Sequence, residues 1–527
     1  MTSDPQQETA PDDTYDVIVI GGGPVGENAA DRAGRTGLSV ALVEAELVGG
    51  ECSYWACIPS KTLLRPGAAR AEARGVPGVG VDDALDVPAV LARRDAMVAD
   101  WDDGGQVSWV EGAGIALVRG LGRIVAPRLV EVVAEEPDAD PDDLPRTRRL
   151  AARHAVIVAT GSVPVLPDVP GLADANTWTS REATAVEDVP ESLAIVGGGV
   201  VATEMAVAFA DLGARVTVLS RGGLLGRTEP WAGEAVAASL RELGVDVRLG
   251  VATESVEALP DGGARLTLSA VGSRQGEGGA DGAPDLSPVT AERVLVATGR
   301  VPRTQDLGVD AVGLVPGRAL DVDDTMLVQG LPQDAAEGAE GGWLYAAGDV
   351  TGRVATTHQG KYQGRVVGDV VAARFGDPDA DGAPTAGERA PAVGTAPEPW
   401  SRFAATADGV ASPQVVFTRP EVAAVGHTEA SAREAGIDVR VVRYDLANVS
   451  GAAVRAEDYA GSAQLVVDAA REVVVGATFV GPDAAEMLHA ATIAVVGEVP
   501  LRRLWHAVPS YPTVSEVWLR FLEEYGL

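Results

Sequence analysis

The chain has 527 residues, of which 46% are hydrophobic, and a formal net charge of -34 from 76 acidic and 42 basic side chains. That length holds about three or four domains with apolar cores, and the charge argues against nucleic acid or anionic membrane as a partner, since both are bound by Lys/Arg neutralisation of phosphate. The first fifteen residues lack the basic start and apolar stretch of a secretory signal, and no uncharged apolar run approaches ~18 residues, so a cytoplasmic protein with reduced thiols is expected.

After a disordered acidic tail expected at 1–12, Tyr15 to Ile20 reads as a buried strand. It runs into Gly21-Gly22-Gly23-Pro24-Val25-Gly26 and an Ala-rich helix, and a second strand, Leu38 to Val43, ends at Glu44. The arrangement recurs: Leu193 to Val196, then Gly197-Gly198-Gly199-Val200-Val201-Ala202, a helix with Met205, Ala206 and Phe209, and a strand Arg215 to Leu219. A single G-x-G-x-x-G is weak evidence; two copies, each between strand and helix, predict two βαβ dinucleotide-binding units. Gly21 and Gly197 permit the tight turn and Gly23 and Gly199 a close backbone approach to pyrophosphate. Gly26 and Ala202 stand in the third position, and the helix N-terminus supplies unpaired N–H groups.

The differences between the copies distinguish their ligands. Glu44 lies eighteen positions after Gly26, where a carboxylate accepts hydrogen bonds from ribose hydroxyls. The same step from Ala202 reaches Ser220, followed by Arg221 and Arg227. Arginines in place of the acid suit a ribose 2′-phosphate, hence NADPH rather than NADH, or are ordinary surface arginines of an Arg-rich chain.

Between the copies, the chain's two cysteines fall in one segment, Gly49-Gly50-Glu51-Cys52-Ser53-Tyr54-Trp55-Ala56-Cys57-Ile58-Pro59-Ser60-Lys61. A disulfide framework would need more cysteines and a zinc site further ligands, so the pair points to redox chemistry. Lys61 is one of two lysines, with Lys361, in a chain where Arg supplies nearly all positive charge. A surviving Lys marks a place for a compact ammonium. Glu135 to Arg148, Ala270 to Pro288, Leu331 to Gly341 and about Phe375 to Ala411 are rich in Gly, Pro, Ala and acids and read as mobile surface insertions, the last as a linker. Strands at Gln414 to Phe417, Val422 to Val425, Val439 to Tyr444, Ser462 to Val467 and Glu472 to Phe479, with a helix Ala484 to Val496, predict a final α/β layer.

Together with Ala159-Thr160-Gly161, Ala297-Thr298-Gly299-Arg300 and Tyr345-Ala346-Ala347-Gly348-Asp349-Val350, these features resemble the class I pyridine nucleotide-disulfide oxidoreductases, among them dihydrolipoyl dehydrogenase, glutathione reductase and mercuric reductase, over almost the whole chain. The resemblance implies an α/β fold of two Rossmann-like FAD- and NAD(P)-binding domains plus a C-terminal α/β dimerisation domain. FAD would be held by 13–185 and 303–372, NAD(P)H by 186–302; 373–411 would be a flexible linker and 412–527 would make a homodimer whose site is shared between subunits. It implies Thr160, Gly161, Asp349 and Thr356 at FAD, Gly299 at NAD(P)H, and a helix opening at Ala355-Thr356-Thr357-His358 toward the flavin, with His358 either near the cofactor or structural.

By the same resemblance NADPH, with NADH possible, would reduce the flavin on one face. Cys57 would form the charge-transfer thiolate on the other, and Cys52 would exchange with substrate. Lys61 would pair with Glu204 beside the flavin. No metal site is expected. The departure is at the C-terminus: where the family's disulfide reductases carry His-Pro-Thr and a later glutamate, this chain reads Tyr511-Pro512-Thr513-Val514-Ser515-Glu516. A phenol titrating near pH ~10 is a poor proton shuttle at neutrality; either Tyr511 fills the base position or His506 replaces it. Mercuric reductases are similar in that tyrosine, yet they use a C-terminal cysteine pair that this chain lacks. Tyr54 and Trp55 either offer a stacking surface to a flat acceptor or are core aromatics. The expected function is an FAD-dependent NAD(P)H oxidoreductase passing electrons between a nicotinamide cofactor and a small disulfide/dithiol substrate, similar to dihydrolipoyl dehydrogenase. A quinone or metal-ion reductase is the alternative, and a flavin-based redox sensor the non-enzyme alternative.

Overall fold

The computed structural model describes residues 11–134, 146–272, 284–332, 342–382 and 388–527. The chain divides into two compact units, one from 1–54, 99–163 and 300–408, the other from 55–98, 164–299 and 409–527.

In the first unit, Val17–Ile20 and Val40–Val43 are wholly apolar and buried, as strands covered on both faces must be. They belong to a seven-stranded sheet ordered Ala116–Arg119, Val40–Glu44, Asp13–Ile20, Thr147–Val158, Leu129–Val133, Leu121–Ala126, with Leu344–Ala346 also pairing to Thr147–Val158. The strands around Asp13–Ile20 run parallel and the last two antiparallel. Helix Pro24–Gly34, opened by a proline that fits the first turn, packs on helix Thr357–Phe375. The two approach closely because Gly360, Gly364 and Gly368 face Val25, Ala29 and Arg32, where a Cβ would collide.

The second unit holds the second nucleotide sheet, five parallel strands ordered Asp246–Leu249, Arg215–Ser220, Ser192–Val196, Arg293–Val296, Thr177–Trp178. An antiparallel trio, Val251–Ala258, Ala264–Ala270 and Val289–Ala291, accompanies it. Its C-terminal part is an antiparallel sheet ordered Gln414–Val416, Glu421–Gly426, Val473–Gly481, Ser462–Asp468, Val439–Asp445, carrying helix Ala484–Val496. The surface of this part keeps Val454, Ile493, Trp505 and Val508 exposed.

Residues 55–98 and 164–185, expected with the FAD domain, fall in the second compact unit. Leu63, Leu64, Val90 and Leu91 bury against Met205 and Phe209 of the second nucleotide helix in one core. The linker at 373–411 is also not loose throughout. Helix Thr357–Phe375 extends into it, and near its end Phe403, Ala404 and Ala405 are buried, with Ala405 N–H donating to Asp324 O (2.8 Å) and Arg402 pairing with Asp369. Composition hid this because small alanines bury without an apolar signature. The tail through residue 10 and the interiors of the four insertions, 135–145, 273–283, 333–341 and 383–387, lie outside the described residues.

Candidate functional site

The internal duplication reaches individual hydrogen bonds. In the first copy Gly21 N–H donates to Val43 O (2.8 Å), Gly49 N–H to Gly22 O (2.8 Å) and Ala159 N–H to Ile20 O (2.8 Å). In the second Gly197 N–H donates to Leu219 O (2.9 Å), Leu225 N–H to Gly198 O (2.8 Å) and Ala297 N–H to Val196 O (2.8 Å). Gly21 and Gly197 both need glycine: their φ values are +107° and +139°, and a Cβ would stand 2.4 Å from Ala159 O and 2.3 Å from Ala297 O. Gly26 packs so closely on Gly21 O that no Cβ fits, whereas Ala202, buried, fills that place in the second copy. Space at the phosphate end is open: a Cβ on Gly199 meets nothing within 4 Å, and one on Gly23 only Gly50 Cα at 3.9 Å. A pyrophosphate fits such a turn, since its backbone donors face unobstructed space at a helix N-terminus.

Glu44 ends its strand with Oε2 accepting from Gly22 N–H (2.6 Å) and Oε1 from Glu46 N–H (2.7 Å). Burial raises its pKa, and these two bonds oppose the shift. Ser220 takes the matching place beside Gly198, its Oγ 2.4 Å from where a Cβ would stand. A second polar network in the first unit holds Asp349. Ser162 Oγ donates to Asp349 Oδ2 (2.6 Å), Arg300 Nε donates to Ser162 Oγ (2.8 Å), and Arg300 Nη2 donates to Glu51 Oε2 (2.5 Å). Asp349 is thus linked to the residue that precedes Cys52. Thr160 Oγ1 donates to Arg303 O (2.8 Å), and Gly161 O accepts from Arg303 N–H (3.0 Å). Thr356 caps helix Thr357–Phe375 in extended conformation, yet its buried Oγ1 has no hydrogen-bond partner among the described residues. An orphaned hydroxyl at a helix N-terminus, the glycine cradle and a two-oxygen acid at Glu44 together fit a dinucleotide carrying a flavin.

Cys52 lies on the short helix Gly50–Tyr54, and Cys57 opens helix Cys57–Arg74, where unpaired N–H groups favour negative charge. One turn on, Lys61 Nζ sits 2.6 Å from Glu204 Oε2. Glu204 is nearly sealed from solvent, at 3% side-chain exposure, while Lys61 keeps 34%. The other carboxylate oxygen accepts from Phe417 N–H (3.0 Å), and the ammonium lies 5.1 Å from the Phe417 ring centroid. Tyr54 is a core aromatic: it is buried, and burial, aided by the charges of Asp103 and Glu27, pushes its phenol up to about 12. Trp55 carries the Arg181 guanidinium 4.0 Å from its ring centroid, so one indole face is covered. Its carbonyl accepts from Thr184 Oγ1 (2.8 Å), and Thr184 O accepts from the buried Arg94.

In the second unit, Arg221 and Arg227 are both exposed beyond strand Arg215–Ser220. Gly299, with φ +136°, follows strand Arg293–Val296, and its carbonyl accepts from Val165 N–H (3.0 Å). At the C-terminus Tyr511 is 75% exposed, and His506 is exposed too. Glu516 is buried, and its Oε2 has no hydrogen-bond partner among the described residues. The sequence reading missed Glu51, Ser162 and Arg181 as members of these networks. Arg300 was visible only as a motif letter.

Residues 15–364 match the family model described as pyridine nucleotide-disulphide oxidoreductase, and 412–520 match that family's dimerisation domain. The chain belongs to the pyridine nucleotide-disulphide oxidoreductases. Curated relatives of this oxidoreductase include a mercuric reductase of Staphylococcus aureus, 29% identical over 510 residues, covering 96% of this chain and 81% of the relative. A dihydrolipoyl dehydrogenase of Halobacterium salinarum is 31% identical over 520 residues, covering 96% and 95%. Among solved structures, the HOCl-induced flavoprotein disulfide reductase RclA of Escherichia coli matches with TM-score 0.74 at 22% identity, over 97% of this chain and 99% of that one. The fold class is therefore that of the flavoprotein disulfide reductases. As members of the family do, the oxidoreductase uses FAD and a pyridine nucleotide, and its dimerisation domain makes it a homodimer. No helix among the described residues is long and apolar enough to cross a membrane.

Proposed function

We propose that this oxidoreductase is a cytoplasmic enzyme that oxidises NADPH and passes the electrons through Cys52 and Cys57 to a small disulfide, in the manner of dihydrolipoyl dehydrogenase. The observation that carries the reading is the segment Cys52 to Lys61: two cysteines, the second at a helix N-terminus, with Lys61 bound to buried Glu204 one turn later. FAD, when bound, accepts hydride from the nicotinamide and gives electrons to a disulfide. The chain's residues hold and orient. Gly21, Gly23 and Gly26 would cradle the pyrophosphate, Glu44 would accept from ribose hydroxyls, and Asp349, braced by Ser162, from the ribityl chain. Thr160, Gly161 and Thr356 complete the FAD contacts. Gly197, Gly199, Ala202 and Gly299 would cradle the nicotinamide nucleotide, and the exposed Arg221 and Arg227 would take the 2′-phosphate.

Cys52 serves as the exchanging thiol, and Cys57 holds negative charge at its helix N-terminus. Lys61, paired with Glu204, would supply a compact ammonium to a bound flavin. A second reading, electron delivery to a quinone or metal ion without thiol exchange, is favoured by one observation: the base position holds the exposed phenol of Tyr511, and Glu516 Oε2 has no partner among the described residues. RclA is described as a Cu(II) complex, which is in keeping with that reading. Steady-state NADPH oxidation by wild type and Cys52→Ser against lipoamide, glutathione disulfide, a benzoquinone and Cu(II) separates the two. Loss of disulfide turnover alone supports the first reading. Full disulfide turnover in Cys52→Ser rejects it.

A further inference from the structure

The end of the stretch that composition marks as a linker reaches the turn that carries Asp349. Asp408 is the focus of this contact, its side chain 3% exposed. Its Oδ1 accepts from Gln359 Nε2 (2.7 Å) and its Oδ2 from Gln363 Nε2 (2.9 Å), residues one turn apart on helix Thr357–Phe375. Both glutamines are buried. Gln363 uses its other atom, Oε1, to accept from Gly348 N–H at 2.7 Å. Gly348 immediately precedes Asp349 and has φ +83°, a backbone conformation that glycine adopts readily and other residues rarely do. Arg353, in the same turn, lies with Nε 3.4 Å from Asp408 Oδ2 and Nη2 2.5 Å from Asp324 Oδ1.

We propose that Asp408 is a positioning residue for the FAD-binding turn Gly348–Thr357, acting through Gln363. The carboxylate takes one donor from each glutamine, so the Gln363 amide has one orientation, with its oxygen toward Gly348. Without that acceptor the amide is free to turn and present its NH2 group to the Gly348 N–H, donor against donor. The buried tripeptide Phe403-Ala404-Ala405 and the Tyr362 Oη to Ala404 O bond (2.8 Å) anchor the strap itself, separately from the carboxylate. The inference rests on the reading that Asp349 and Thr356 contact FAD.

The test uses full-length protein stripped of FAD and titrated with FAD, following flavin fluorescence, together with hydrogen exchange at the peptide 345–353 before FAD is added. Asp408→Leu and Gln363→Leu should each weaken FAD binding about tenfold or more, the ratio that loss of a hydrogen bond to a charged group corresponds to. Each should also speed exchange at Gly348, and the double variant should be no worse than either alone, because both cut one chain of contacts. Tyr362→Phe, which loosens the strap but spares the carboxylate, should bind FAD like wild type. Should Asp408→Leu fail to fold, Gln363→Leu, which leaves Asp408 bonded to Gln359, carries the comparison. Additive losses, unchanged FAD affinity in both variants, or an equal loss in Tyr362→Phe would overturn the inference while wild type still binds FAD. A wild type that takes up no FAD would overturn the inference and the underlying FAD reading together.

Discussion

Lys61 and Glu204 form a pair whose two halves are unequally buried, and that inequality predicts unequal costs. In Lys61→Met, Glu204 stays at 3% exposure with Phe417 N–H its only remaining partner of the two described here. Removing one member of a fully buried pair costs ~3–5 kcal/mol. Lys61 is a third exposed, so water replaces part of the lost contact and the expected cost falls to about 2–3 kcal/mol. In Glu204→Gln the amide oxygen still accepts from Phe417 N–H, and the Lys61 ammonium turns toward solvent across the Phe417 ring. The loss is then about 1 kcal/mol, the net worth of one hydrogen bond. Urea unfolding followed by tryptophan fluorescence, at one saturating FAD concentration for every variant, measures both, provided the transition slopes agree. Glu204→Gln destabilising as much as Lys61→Met or more would refute the reasoning.

Two further outcomes follow from other parts of the molecule. Burial pushes the Glu27 carboxyl up to about 7 from a reference of 4.5, with Glu44 adding to the shift and Lys361 opposing it. The folded protein therefore keeps a proton that the unfolded chain releases. The resulting stability is full below pH ~4.5 and is lost as pH rises through about 7, by at most about 3 kcal/mol; the wild-type minus Glu27→Gln difference in unfolding free energy should show that fall, and a flat difference would reject it. Arg221→Glu should weaken NADPH binding about tenfold or more relative to NADH, measured by equilibrium titration, through loss of charge-assisted bonds to the 2′-phosphate; equal losses for both nucleotides would remove Arg221 from that role.

The duplicated glycine turns were legible because the conformations they need, such as φ +107° at Gly21 and +139° at Gly197, leave a fixed pattern of residues. The Cys52 to Lys61 segment was legible because its members are local in sequence. Glu51, Ser162, Arg300 and Asp349 make one network from positions up to 298 apart, and nothing in composition or periodicity joins an acid at 51 to an arginine at 300. The same holds for Asp408 and Gln363: the first stands in a Gly-, Pro- and Ala-rich stretch that reads as solvated, and only the packed structure brings its carboxylate to the helix. Trp55 was ambiguous between a stacking platform and a packed side chain, because whether an indole face is free depends on Arg181, far along the chain.

On the proposed function, Cys57 stands in the electron path of the flavin. The most direct measurement is an anaerobic titration of the FAD-loaded protein with NADPH, recording visible spectra of wild type and Cys57→Ser. A long-wavelength thiolate-to-flavin band in wild type, absent from Cys57→Ser, is the predicted result. Simple bleaching of the flavin in both proteins, with no such band in either, would contradict it and leave the cysteines outside the circuit.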